Sequence, residues 1–162
     1  MSNKQKVLAR LDVLQIPYEF YEHAPAHTME ACQRLPFMAA DITFCKNILL
    51  CNRQQTAYYL YVLPAEKLFR TSVFSRQMGS SRLSFTPENA LEELMELERG
   101  SLSPLGLWFD RQQRVQPVFD QAVRRNGRIA FHPCDNSATC VFQQEDFWQR
   151  VLPTLEHEIQ WV

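Results

Sequence analysis

Apolar residues recur at helical spacing from the start of the chain. Val7, Leu8, Leu11 and Leu14 predict a helix over residues 3 to 15, which Pro17 ends. A short aromatic strand, Tyr18 to Glu22, follows, and Thr28 reads as the N-cap of a second helix through Met29 and Cys32. Cys45 to Cys51 and Ala57 to Leu63 are two strands around the polar turn Asn52-Arg53-Gln54-Gln55, with Pro64 closing the second. Glu66 to Met78 has helical spacing and Gly79 fits its C-cap; Ser81 to Phe85 then reads as a strand. Thr86 as cap and Pro87 as first helical residue open a helix whose stripe of Leu91, Leu94, Met95 and Leu97 runs up to Gly100. Beyond it the pattern predicts short strands at Leu105 to Phe109, Val115 to Phe119, Ile129 to His132 and Thr139 to Phe142, and a closing helix from Glu145 to Leu152. Helices scattered among hairpin-like strands, without regular βαβ alternation, predict an α+β or mixed α/β domain on a largely antiparallel sheet.

Length and composition bound this picture. A chain of 162 residues with 46% hydrophobic and 22% charged residues reads as one domain, residues 1–162, able to bury its own core. No apolar run approaches the ~20 residues that cross a bilayer, and the N-terminus lacks an apolar signal region, so a cytoplasmic protein with no membrane partner is expected. Five cysteines without a CxxC pair suggest reduced thiols. A net charge of −1 excludes a wholesale electrostatic nucleic-acid binder, so any such contact must be local. Asp110 to Arg128 carries five arginines against two acids, which reads either as a solvated face or as a basic rim for a phosphate-bearing ligand.

Several chemistries can be set aside. With glycine only at 79, 100, 106 and 127, neither GxGxxG nor GxxxxGK[ST] can be written. Ser103 lacks the flanking glycines of a nucleophile elbow, and His132-Pro133-Cys134 has no second pair of ligands at metal spacing. What remains is a set of polar residues at strand ends and bends: Lys46, Asn47, the Gly100 to Pro104 loop, His132, Asn136 and Thr139. By spacing alone Lys46 also reads as a snorkelling strand lysine and His132 as a satisfied core histidine, while the loop and the Asn136 to Thr139 stretch read as plain turns.

Taken in order, Cys45-Lys46-Asn47-Ile48-Leu49-Leu50, Tyr58 to Pro64, Gly79 to Phe85, Gly100-Ser101-Leu102-Ser103-Pro104-Leu105-Gly106 and Phe131 to Thr139 resemble the motifs of the YbaK-like aminoacyl-tRNA editing domains. The likeness runs from about Leu11 to Leu152 and is nearest to the free-standing prolyl-tRNA editing branch, the prolyl-tRNA synthetase-associated domain proteins. The resemblance implies an α/β fold, α+β in character, with a mixed, mostly antiparallel sheet curved around a pocket and flanked by helices. It implies a trans-editing hydrolase that deacylates mischarged alanyl-tRNA(Pro) without a covalent nucleophile or cofactor. Its partners would be the acceptor end of tRNA(Pro) and, as a further candidate, prolyl-tRNA synthetase.

Carried over position by position, the resemblance makes Lys46, His132 and Gly100 catalytic residues. It makes Asn47, Ser101, Leu102, Ser103, Pro104, Asn136 and Thr139 substrate-binding. Met29, Cys32, Ile48 and Phe131 are candidates for the side-chain pocket. Lys46 would anchor the terminal adenosine, the amides of Leu102 and Ser103 would polarise the ester, and His132 would orient a water or the 2′-hydroxyl. Two departures mark the turn after His132: Cys134-Asp135 stand where Asn-Thr is more usual, and Ser137 where Thr is common. An editor of another small aminoacyl-tRNA such as cysteinyl-tRNA(Pro), a non-catalytic tRNA or synthetase binder, and a thiol or metal enzyme using Cys134 with His132 are the competing readings.

Overall fold

The computed structural model describes residues 1–26, 28–98, 100–125 and 127–162. Helix α1 (Asn3–Val13) starts where Ser2 and Gln5 cap each other reciprocally, a capping box, and buries Val7 and Leu11. Strand β1 (Glu19–Glu22) and helix α2 (Met29–Gln33) follow, the latter capped by Thr28 as its sequence predicts. The hairpin of β2 (Ile42–Cys51) and β3 (Tyr58–Pro64) pairs in register from Cys45↔Pro64 to Cys51↔Tyr58. After α3 (Thr71–Gln77), β4 (Ser84–Phe85) and α4 (Glu88–Met95) come β5 (Val115–Phe119), β6 (Arg128–Phe131), β7 (Ala138–Gln143) and β8 (Gln160–Trp161).

The strands form one mixed sheet in the order β1-β7-β6-β2-β3-β5-β8, with β4 added to β2. Among the described residues the pairs β1/β7, β6/β7, β2/β3 and β2/β4 are antiparallel, and β2/β6, β3/β5 and β5/β8 are parallel. Helices α1 and α4 pack on one main core with Leu49, Leu60, Phe119, Phe131 and Phe147. Helix α3 covers Leu50, Tyr61 and Leu63 through Phe74. No helix among the described residues is long and apolar enough to cross a membrane.

One junction sets the relation of β6 to β2. The Arg128 guanidinium forks onto both oxygens of Asp41, at 2.8 Å each, and reaches Glu19 at 2.9 Å, so one side chain ties together the starts of β6, β2 and β1. Gly127 precedes it at φ +102°, where a Cβ would collide with the Asp41 carbonyl, so only glycine fits that approach.

Four elements depart from the expectation. Residues 105–109 form not a strand but a buried 3-10 helix, Pro104–Phe109, because Ser103 Oγ accepts from Leu105 N–H and Pro104 takes the first helical position. The helix expected from Glu66 begins only at Thr71. Before it, Lys67 pairs with the Asp120 carboxylate, and the Phe69 ring packs near Tyr61 and Phe74. Thr86 does not cap α4; Pro87 stands at the N-cap. The closing helix is one α-turn, Gln144–Asp146, that continues as a π turn and a 3-10 turn to Leu155. The tail folds back, with β8 lying parallel to β5 and Trp161 against Phe119 and Trp148.

A buried ion pair anchors that tail. Asp110 accepts from the amides of Arg114 and Val115, and its Oδ2 meets His157 Nε2 at 2.9 Å. His157 Nδ1 faces the Leu155 carbonyl, which can only accept, so both ring nitrogens donate and the ring is an imidazolium. Burial alone would lower the His157 pKa, but the hydrogen bonds to Asp110 and to the Leu155 carbonyl, with the nearby carboxylate charges, together outweigh it and raise it. Burial likewise opposes the Asp110 carboxylate, yet its donors hold it below the usual range. Stability from His157 is complete below about pH 6.5 and fades as pH rises through its raised pKa; stability from Asp110 is present above about pH 4 and fades as pH falls through its lowered one. We therefore expect urea midpoints to plateau between these limits, and Asp110→Ala to lose about 3 kcal/mol at pH 6.

Candidate active site

The edge of β2 opposite β3 is shared by two strands that do not meet. β6 pairs with Ile42 to Phe44 and β4 with Leu50 and Cys51, leaving Cys45 to Leu49 without a strand neighbour there. A cavity of about 340 Å³ opens at this gap, near the small end of ligand sites. Phe44, Ile48, Ala130 and Phe131 give it an apolar interior, α2 contributes Met29 and Cys32, and Gly100 and Leu102 approach from the loop after α4.

Polar atoms break this lining at three places. Asn47 Oδ1 and Thr86 Oγ1 are buried and meet no hydrogen-bonding group among the described residues. A buried polar atom without a partner costs about 1–3 kcal/mol; both atoms belong to residues of the cavity wall and are themselves closed to solvent. The third is His132, only 7% exposed. Its Nδ1 lies 2.7 Å from the Ala138 carbonyl and must carry the proton. Burial holds the ring below its ordinary pKa, against the upward pull of that hydrogen bond. At neutral pH Nε2 is therefore the accepting nitrogen, and the Cys32 thiol, 3.7 Å away, is its partner.

Of the residues singled out in the sequence, Asn47, Gly100, Leu102, His132, Met29, Cys32, Ile48 and Phe131 meet around the cavity. The others lie beside it. Lys46 is half-buried on β2, its ammonium donating to the Lys67 carbonyl at 2.5 Å. Ser101 donates its amide to Glu98 and, with Asn136, lines a separate polar cleft behind the loop. Ser103 and Pro104 are buried and start the 3-10 helix. Thr139 is fully buried, its hydroxyl 2.8 Å from His23 Nε2. Gly100 has φ +89°, a left-handed backbone that a side chain would strain.

The unusual turn after His132 is internally consistent. Asp135 Oδ1 accepts from both the amide and the hydroxyl of Ser137, so the two departures stabilise one another. Cys134 lines the polar cleft rather than the cavity, and burial pushes its thiol far up in pKa. Cys32 is raised by burial too, so neither thiol is an activated nucleophile.

The basic rim of residues 110–128 is largely engaged within the protein. Arg114 lies over Tyr58, Arg124 over Trp161 at 4.0 Å, Arg125 pairs with Glu66, and Arg128 forks onto Asp41. The sequence reading missed Thr86 and Phe85. A Thr-Pro pair before a helical stripe signals a cap, and a phenylalanine ending a strand signals core; only the pairing of β4 with β2 turns both toward the gap.

With this geometry in place, the sequence of the chain is matched over residues 23–149 by the aminoacyl-tRNA editing domain. The chain belongs to the aminoacyl-tRNA editing domain family. It is 34% identical over 146 residues to the prolyl-tRNA editing protein ProX of Acetoanaerobium sticklandii, covering 90% of this chain and 88% of that one. It is 29% identical over 143 residues, 85% of this chain and 83% of the other, to prolyl-tRNA synthetase associated domain-containing protein 1 of Mus musculus. Its fold matches the crystal structure of a proposed trans-editing enzyme for prolyl tRNA synthetase, with a TM-score of 0.73 at 12% identity over 98% and 95% of the two chains. An editing domain hydrolyses the ester between an amino acid and the terminal ribose of tRNA.

Because the Thr86 hydroxyl has no hydrogen-bond partner among the described residues, Thr86→Val should keep or raise stability, by up to about 1 kcal/mol, while slowing deacylation. Parallel unfolding curves and single-turnover deacylation rates check both.

Proposed function

We propose that this chain edits in trans, hydrolysing alanyl-tRNA(Pro) within the cavity beside β2. The observation that carries the reading is a small cavity with apolar walls, lined also by Asn47, Thr86 and His132, in a chain 34% identical to a prolyl-tRNA editing protein. A synthetase pocket sized for proline excludes alanine weakly, since missing methylenes are worth about 1–3 kcal/mol, and a second, smaller site removes the error. Met29, Ile48 and Phe131 set the size limit that rejects prolyl esters. A seryl ester differs from an alanyl one by a hydroxyl that such walls discriminate poorly, so serine leaks through.

The neutral His132 Nε2 accepts a proton from the attacking water or from the 2′-hydroxyl. Asn47 Oδ1 accepts from the substrate α-ammonium and fixes the ester in the gap. The Leu102 amide, without an acceptor among the described residues, polarises the ester carbonyl. Lys46 binds a phosphate or carbonyl oxygen of the terminal nucleotide, because the neutral Lys67 carbonyl it now meets is a weaker acceptor than an anionic oxygen. No covalent nucleophile is required, in keeping with the raised thiols of Cys32 and Cys134.

The test is single-turnover deacylation of alanyl-, seryl-, cysteinyl- and prolyl-tRNA(Pro). Alanyl-tRNA should be cleaved fastest and prolyl-tRNA spared; faster cleavage of the cysteinyl ester would move the assignment to that substrate, and cleavage of none would leave a binding protein. Lys46→Ala and His132→Ala should each lower the rate about 100-fold or more. Because the base form of His132 is the active one and burial lowers its pKa, the rate should fall with acidification only below pH 6.5, with the limb absent in His132→Ala.

A further inference from the structure

Phe85 is 62% exposed although it lines the mouth of the cavity. The ring of Phe69 meets it in a T-shaped contact at 6.0 Å, which supports Phe85 without covering it. Three residues earlier, Arg82 shares a cleft with Arg76, Thr71, Ser72, Ser75 and Ser80. Ser75 holds the connection in place, its Oγ donating to the Thr71 carbonyl and accepting from Leu83 N–H. Arg70, Arg76 and Arg82 are exposed and make no ion pair among the described residues, whereas Glu66, the one acid from 66 to 85, is paired with Arg125. An uncovered aromatic ring at the mouth, followed by uncompensated positive charge, is the arrangement that holds single-stranded nucleic acid, with bases stacked on rings and phosphates held by basic side chains.

We propose that the α3–β4 surface is the track for the 3′ end of the RNA, with the terminal base stacked on Phe85 and the preceding phosphates held by Arg82 and Arg76. This rests on the reading of the cavity as the site of the aminoacyl ester. An ester in the gap places the base of the same nucleotide at the mouth, where Phe85 stands. From Phe85 to Arg82 the chain spans at most ~10 Å, so the next phosphates of an extended strand come within reach of the guanidinium groups. Stacking accepts any base by its face, so this surface fixes position and leaves tRNA identity to other contacts. A protein docked on exposed Leu68 and Val73 is the rival occupant, but the unpaired arginines favour a polyanion.

The experiment measures binding by fluorescence anisotropy. The probes are an acceptor-stem microhelix ending in CCA and the same RNA with an abasic terminal ribose. Phe85→Ala should weaken the CCA probe about tenfold and leave the abasic probe unchanged, while Phe85→Trp retains affinity for both. Arg76→Ala with Arg82→Ala should make the log affinity against log salt slope shallower by about 1.4, the value for two single-strand phosphates. Equal loss on both probes, or no loss on either, would overturn the stacking. An unchanged salt slope would overturn the phosphate track. Deacylation measured alongside separates the two failures: wild-type protein that hydrolyses no ester yet shows the Phe85 dependence refutes the catalytic reading and leaves the RNA surface standing.

Discussion

A strand offers two edges for hydrogen bonding, and β2 divides one of its edges between two strands that never touch. Everything distinctive about this protein depends on that division. β6 must leave after Phe44 and β4 must arrive only at Leu50, and each constraint is met by local chemistry. Arg128 and Gly127 lock the start of β6 against Asp41, which sets its register on β2. The Ser75 hydroxyl and the bond from Thr86 N–H to the Leu49 carbonyl at 2.9 Å fix the arrival of β4. Five residues, Cys45 to Leu49, separate the two ladders, so extending both strands toward each other by two or three residues would close the gap.

The gap also reconciles a neutral protein with a polyanionic substrate. With a net charge of −1 the molecule cannot hold RNA by its overall field, so the charge that matters must be uncompensated and well placed. Most arginines between 110 and 128 already have carboxylates or aromatic rings within the fold, which is how they stabilise it. Among the described residues the cavity wall carries no such charge: it is mainly apolar, with Asn47, Thr86 and His132 as neutral polar side chains among its lining.

Much of this architecture is legible in the amino-acid sequence. The α1 stripe, the Thr28 cap, the β2–β3 hairpin and the strands β5 and β7 follow from periodicity and turn chemistry, which act over a few residues. Local pattern does not reach the pairing of distant strands. Leu105 to Phe109 is a short apolar run that reads as a strand yet becomes a 3-10 helix because a serine hydroxyl and a proline decide its first turn. Thr86 carries a cap signature, yet its hydroxyl is diverted into the cavity once β4 joins β2. Asn47 and His132 stand out because they sit in ordered motifs; Phe85 does not, since a phenylalanine at a strand end looks the same in sequence whether it is covered or bare.

The walls of the gap come from parts of the chain far apart in sequence. Ile42 to Phe44 wait for Arg128 to Ala130, and β1 waits for β7, more than a hundred residues later. Such non-local pairing places loop-closure entropy ahead of its reward and slows folding. A chain that has formed only its first hairpin and flanking helices has Lys46 and Asn47 in register and nothing facing them. The cavity is therefore a product of the whole fold: its walls at Phe44, Phe85 and Ala130 belong to strands that only long-range pairing brings together.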